Sequence, residues 1–287
     1  MWMILALACA LSIASSDALA KVAMRRIPSR HVAFARFACS APFVAPLLFL
    51  GSAPSDPALF YGLVALATPV EIAAILLYMR AIHLSPLSLT LPFMAFTPAF
   101  ILVTGRLILG EAPGPAGMLG VLLITCGAYA LSARSGDRGL LAPIRSFARE
   151  PGSKRMLVVA AIYSVTAVLG KRMIQISSPL FTAGFYCVFT TLALWFVLSL
   201  DGGPRRLLYV FREKILWAVG LTQAGMVITH VIAINMVPAA YMMAVKRTSL
   251  LFGVFYGVTL FHEGMAGLRI AASIVMLAGV FVLALAT

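Results

Sequence analysis

Charged residues are scarce in this sequence, and acidic residues are the scarcest of them. Of the 287 residues, 11% are charged and only nine are Asp or Glu. Hydrophobic residues make up 62%, and the mean hydropathy is +1.03. A water-soluble domain needs far more polar surface than this composition can supply. The lack of charge therefore excludes a soluble globular protein and predicts a polytopic membrane protein.

Cysteine is also rare, and the motifs of several known enzyme classes are missing. The four cysteines stand singly in apolar runs, without a C-x-x-C pair or a neighbouring histidine. We expect buried free thiols, and we predict neither a metal site nor a cofactor. The chain has no pair of Asp-rich motifs, no H-E-x-x-H and no G-x-S-x-G, and only Asp17 and Glu71 among the acids fall inside apolar runs. We therefore predict that the protein is not an enzyme.

Long apolar runs dominate what is present. Each of ten runs approaches the ~20 residues that an α-helix needs to span ~30 Å of hydrocarbon. They are too long and continuous for barrel strands, so the sequence predicts an all-α fold with ten transmembrane helices. The first run resembles a signal peptide, but its positive charges follow it, so we retain it as a helix. The runs cover residues 2–22, 32–51, 59–79, 86–109, 115–133, 156–174, 179–200, 215–236, 239–261 and 266–286.

The chain also contains an internal repeat with an offset of 152 residues. Five helices in each half is an odd number, so the second half must enter the membrane with the opposite orientation. We predict two inverted five-helix repeats, residues 1–133 and 156–287, joined by a linker at 134–155. Inverted repeats are typical of transporters that expose a midplane site to either side in turn. Identical residues in the gapless alignment are Ala81/Ala233, Ile82/Ile234, Pro86/Pro238, Phe100/Phe252, Gly105/Gly257 and Glu111/Glu263.

The net charge of +13 comes mainly from the short links between apolar runs. This pattern is a topology signal and gives no reason to expect nucleic-acid binding; it predicts that both termini lie outside. In the linker at 134–155, Leu140, Ile144 and Phe147 fall on one helical face. That spacing predicts a short interfacial helix, with a solvated basic linker as the alternative.

Two related stretches carry a family resemblance. They read AIHLSPLSLTLPFMAFTPAFILVTGRLILGE and AVKRTSLLFGVFYGVTLFHE. With Lys21, Lys171 and Arg36, they resemble the EamA-type transporters of the drug/metabolite transporter superfamily. The resemblance implies ten helices and a central cavity lined mainly by the third, fourth, eighth and ninth. It also implies transport of small metabolites, often outward, in a bacterial inner membrane, and places both termini in the cytoplasm, the reverse of the charge-based orientation.

Polar residues inside the apolar runs are the candidate site. Glu71 lies within the third run, and Gln223 is its equivalent in the eighth. Glu71 could contact a substrate amine, carry a coupling proton, or pair with a basic residue. Lys246 and Arg247 lie side by side in the ninth run. They could capture a carboxylate or phosphate, reach the interface, or pair with Glu71.

Four further residues complete the candidates. His230 could relay protons or form one buried hydrogen bond. Tyr241 could stack on a substrate or serve in packing. Pro92 and Pro98 both lie inside the fourth run, where each removes a backbone donor and could supply a hinge.

The sequence thus predicts a secondary transporter, and more specifically an exporter, of small anionic or zwitterionic metabolites such as amino acids. A flippase for lipids or lipid-linked sugars is the main alternative, and a channel or structural partner protein is the third. The expected partners are a small-molecule substrate, the lipid bilayer, and either protons or a counter-substrate. The residues do not identify the substrate.

Overall fold

A computed structural model of the chain describes residues 1–85, 87–130, 151–200, 204–252, 256 and 267–286. Among its described residues, the first half contains seven α-helices and two 3₁₀ segments, at Ala45–Phe49 and Leu91–Ala95. The helices are α1 Trp2–Ala23, α2 Ser29–Ala38, α3 Ala41–Val44, α4 Pro57–Leu84, α5 Leu87–Thr90, α6 Phe96–Leu109 and α7 Pro115–Ala130.

The second half has five α-helices among its described residues, with a 3₁₀ segment at Pro204–Arg212. The helices are α8 Pro151–Gln175, α9 Pro179–Ser199, α10 Lys214–Met236, α11 Ala239–Lys246 and α12 Gly267–Leu285. The predicted interfacial helix lies outside the described residues, except that 151–155 already belong to α8. The apolar run that predicted α8 begins at residue 156, five residues after the observed start of α8 at Pro151.

The prediction of an all-helical membrane protein is confirmed, since the described ranges contain no strand. Six helical stretches are long and apolar enough to cross a membrane, and three shorter apolar helices accompany them. The number of spans therefore stays a prediction. The six are Trp2–Ala23, Ser29–Phe49, Pro57–Leu84, Pro151–Gln175, Pro179–Ser199 and Lys214–Met236.

Two of the long helices begin at the same local signal, a polar capping residue followed by proline. The carboxylate of Asp56 accepts a hydrogen bond from the amide of Leu59 at 3.0 Å, and Pro57 opens α4. At α9 the Ser178 hydroxyl accepts from the Phe181 amide at 3.3 Å. A capping oxygen satisfies one of the free amides of the first turn, and proline fits there because it has no amide to satisfy.

The two halves are interleaved. The most extensive helix pairings are α1 with α10, α7 with α12, α4 with α8 and α6 with α8. Each of these pairs joins one helix of the first half to one of the second. Any cavity between these helices is therefore lined by both halves.

The close approach of α7 and α12 depends on glycine. A Cβ atom added to Gly120 would lie 3.0 Å from the carbonyl oxygen of Gly279, and one added to Gly279 would lie 2.9 Å from that of Gly120. Small residues allow membrane helices to approach backbone to backbone. The two helices are therefore held at a distance that no larger side chain permits.

The predicted fourth and ninth helices are broken at matching positions, whereas the sequence predicted a proline-kinked fourth helix and a continuous ninth. The fourth changes from a 3₁₀ segment to α6 after Ala95. In the ninth, α11 ends at Lys246, and the amides of Arg247 and Thr248 each bond to the carbonyl three residues earlier, at 2.9 Å. Ala95 and Arg247 are 152 residues apart, so the repeat extends to the breaks. Discontinuous helices in corresponding positions are typical of transporter binding sites.

Candidate functional site

A cavity of about 210 Å³ lies between the two halves. It brings together five of the six residues that the sequence proposed for substrate binding, which are Glu71, Gln223, His230, Lys246 and Arg247. The resemblance implied walls from the third, fourth, eighth and ninth predicted helices, and α4, Met94, α10 and α11 supply them. It did not imply the large contribution of α8 and α9, which add Tyr163, Thr166, Gly170, Lys171, Thr182 and Tyr186.

A buried polar network crosses one wall of the cavity. Arg36 of α2 donates from Nη1 to the carboxylate of Asp17 on α1 at 2.8 Å, and from Nε to the Gln223 side-chain oxygen on α10 at 2.7 Å. The hydroxyl of Tyr78 on α4 donates to the other Asp17 oxygen at 2.6 Å. The Arg36 guanidinium lies 5.7 Å from the centre of the Tyr78 ring. Four helices are thereby tied together around one neutralised ion pair.

This network changes the interpretation of Gln223. Its side-chain oxygen already accepts from Arg36, so Gln223 positions Arg36 as well as lining the cavity. Sequence reasoning did not pair Asp17 with Arg36. Both are isolated charges of opposite sign inside apolar runs, and this signal could have predicted the ion pair.

Lys246 and Arg247 stand at the break after α11, where they are 8% and 6% exposed. The Lys246 ammonium has the sulfur of Met226 at 3.3 Å, and Arg247 donates from Nε to its own chain's Met243 carbonyl at 3.4 Å. No carboxylate of the described residues lies within 4 Å of either. The end of a helix carries partial negative charge, which favours cations there. These two cations are therefore held in the cavity with only weak acceptors.

Glu71 faces the same cavity from α4. Its carboxylate shares the cavity with the basic groups of Lys246 and Arg36. Within the described part of the chain it forms no ion pair with either residue or with Arg247. The alternative that Glu71 forms an ion pair with a basic residue is thus not the state seen here.

The remaining predicted residues take different places. His230 lines the cavity, and its buried Nδ1 has no hydrogen-bond partner among the described residues. Tyr241 does not line the cavity, because its ring occupies the space above Gly117, whose added Cβ would lie 1.7 Å from the Tyr241 hydroxyl. Pro98 is buried in the first turn of α6, and Pro92 belongs to the preceding 3₁₀ segment.

A second ion pair lies at the cavity lining, at the end of α8. The Lys171 ammonium bonds to the Glu111 carboxylate and donates to the Val237 carbonyl at 2.6 Å. The other Glu111 oxygen accepts from the amide of Ala239, the first residue of α11, at 2.8 Å. This pair connects the ends of α8 and α10 to the start of α11.

The first half contains an equivalent contact. Lys21, at the end of α1, bonds to the carbonyl of Ile82 and donates to that of Ser85 at 3.0 Å. Ser85 and Val237 are 152 residues apart. A lysine from the first helix of each half therefore binds the carbonyl that follows the third helix of the same half.

The described residues hold no group of three or more His, Cys, Asp or Glu side chains that could bind a metal ion. All four cysteines are free, and Cys9, Cys39 and Cys187 are buried. The charged and hydrogen-bonding side chains that line the cavity can bind a polar solute.

The similarity of this chain to known proteins concerns its fold and its family. No curated protein matches the chain. Among 28 similar solved chains, one described only as the crystal structure of a protein has a TM-score of 0.70 at 17% identity, covering 99% of this chain and 96% of that one. This similarity shows the fold alone. Residues 1–133 and 152–285 both match the EamA-like transporter family, and because these ranges include most of the chain, the protein belongs to the EamA-like transporter family.

Proposed function

We propose that this protein is a secondary transporter that exports small anionic or zwitterionic metabolites, such as amino acids, across the bacterial inner membrane. Ten spans arranged as two inverted repeats would expose the cavity to each side of the bilayer in turn. The proposed repeats are those of the sequence analysis, 1–133 and 156–287 with a linker at 134–155, except that the first helix of the second repeat already begins at Pro151.

The observation that carries this proposal is the state of Lys246 and Arg247. Both are buried at the cavity, and neither has a carboxylate partner among the described residues. A basic group inside a membrane costs about 2.5 to 3.5 kcal/mol, which calls for a compensating interaction. An anionic group on a solute supplies it, because charge-assisted hydrogen bonds are about twice as strong as neutral ones.

The other cavity residues complete the binding site. Glu71 receives the cationic group of a zwitterion or carries a coupling proton, and Gln223 and His230 contact the neutral parts of the solute. Tyr241 is left out because of its packing against Gly117. Pro92 and Pro98 lie on either side of the break before α6, and the halves would rock about this break and its equivalent after Lys246. Protons or a counter-substrate drive the cycle.

Ligand-dependent thermal stability of the detergent-purified protein tests the proposal. A ligand that binds only the folded state raises the melting temperature by mass action. We expect a shift with one class in a panel of amino acids, nucleotides, sugar phosphates and amines, lost in Lys246→Met and kept in Lys214→Met, which removes an exposed lysine. Shifts confined to phospholipids or polyprenyl phosphates would replace the transporter with a flippase.

A further inference from the structure

More basic than acidic side chains line the cavity. Among the described residues, five Asp, Glu, Lys or Arg side chains line it, and two of them are already neutralised. Arg36 is paired with Asp17, and Lys171 is paired with Glu111. Each of these pairs adds no net charge. The five lining residues are Arg36, Glu71, Lys171, Lys246 and Arg247.

Three charges remain for a solute to meet. Glu71 brings one negative charge, and Lys246 and Arg247 bring two positive charges. None has an ion-pair partner among the described residues. A buried charge is stable only when it is paired and hydrogen-bonded. When all three side chains are ionised, the empty cavity has one positive charge in excess and three sites that need a partner.

The geometry separates these sites. Glu71 enters the cavity from α4, whereas the two cations enter it from the break after α11. Lys246 meets the sulfur of Met226 instead of Glu71. Thioether sulfur is a weak acceptor, so an oxygen anion would displace it readily. Glu71 and the two cations thus belong to different helices that line one cavity, and a solute that carries charges of both signs can meet them together.

We infer that the solute carries one cationic group and two anionic charges, as an amino dicarboxylate or an amine phosphate ester does. This inference rests on the proposed function. The ammonium group pairs with Glu71, the two anionic charges pair with Lys246 and Arg247, and the loaded cavity is neutral. A simple zwitterion leaves one cation unpaired, and a dicarboxylate without an amine leaves Glu71 unpaired.

Asp17 is then a positioning residue that sets the charge preference. It does not line the cavity, but its carboxylate cancels Arg36, which does. Without the Asp17 charge the cavity would hold two excess positive charges. The preference would move toward solutes with one more negative charge.

Calorimetric titration of the full-length protein with four probes tests this inference. Glutamate and phosphoethanolamine carry the inferred charges, alanine lacks one anionic group, and succinate lacks the amine. We expect the first two to bind at least about tenfold more tightly than the others, because each missing group forfeits a charged hydrogen bond. Glu71→Gln should reverse the order of glutamate and succinate, and Lys214→Met should leave it unchanged. Asp17→Asn, where it folds, should shift the order in the same direction as Glu71→Gln.

The outcomes separate this inference from the proposed function. If alanine or succinate binds as tightly as glutamate, and Lys246→Met abolishes that binding, the charge inference is overturned while the transporter stands. An unchanged order of glutamate and succinate in Glu71→Gln also overturns it. If no soluble probe depends on Lys246, the proposed function fails together with the inference.

Discussion

The guanidinium of Arg36 and the carboxylate of Asp17 lie 2.8 Å apart, with side chains only 2% and 5% exposed. Tyr78 and Gln223 complete the hydrogen bonds of the pair. A buried ion pair contributes little net stability when intact, but removing one partner leaves an uncompensated charge and is strongly destabilising. This asymmetry makes the pair testable by single and double substitutions.

Asp17→Asn should lower the free energy of unfolding by about 3 kcal/mol, because Arg36 would keep a buried charge without a partner. The midpoint of thermal unfolding in detergent measures the loss. The double variant Asp17→Asn with Arg36→Met removes both charges and should regain most of the stability. A single variant that melts like the unmodified protein would show that the pair is not buried as described.

Lys171→Met should also destabilise the protein, by about 3 kcal/mol or more. The substitution leaves the partly buried Glu111 carboxylate with the amide of Ala239 as its remaining described partner. Arg172→Met is a matched control, since Arg172 is exposed and its side-chain hydrogen bond to Gln175 is 3.4 Å long. The control should change stability by less than about 0.5 kcal/mol. Equal losses in the two variants would contradict a specific role for the ion pair.

The sequence predicted much of this architecture because its strongest signals are local and repeated. Apolar runs identified the helices, and the offset of 152 residues identified the two halves. The same offset relates the break at Ala95 to that at Arg247 and the acceptor Ser85 to Val237. Glu71 and Lys246 were identified as candidates because a charge inside an apolar run is costly and therefore marks a possible functional site.

Other features could not be predicted, because they depend on how each helix is rotated. An almost uniformly apolar helix has no polar face, so its periodicity does not show which residues face the cavity. Tyr241 was therefore placed in the site although it packs on Gly117. Pairing of Asp17 with Arg36 likewise depends on tertiary contact. The break after Lys246 has no proline in its vicinity to mark it in the sequence.

Gly120→Ala should destabilise the contact between α7 and α12. The new methyl group would lie 2.7 Å from the side chain of Leu283 and 3.0 Å from the Gly279 carbonyl. Overpacking of this kind costs about 1 to 3 kcal/mol. Gly62→Ala in α4 is the control, because its added carbon meets no atom within 4 Å. The thermal midpoint should fall only in the first variant, and a fall in both would contradict a specific role for this contact.

Pro98→Ala tests whether the break before α6 is a hinge. Pro98 is the third residue of α6, and amides in the first turn of a helix have no partner within that helix. Its replacement should therefore change the free energy of unfolding by no more than about 1.5 kcal/mol, the value of one new hydrogen bond. Alanine restores an amide that can bond across the break, which would stiffen it by about 0.5 to 1.5 kcal/mol and slow turnover up to about tenfold.

Transport in proteoliposomes, compared with ligand affinity, separates the hinge from the binding site. A hinge variant should lose turnover while its Kd stays unchanged, because Pro98 is not among the residues that line the cavity. Pro115→Ala is the matched control, since Pro115 opens α7 away from either break. Normal turnover in Pro98→Ala would remove this proline from the mechanism and leave the break after Lys246 as the hinge to test.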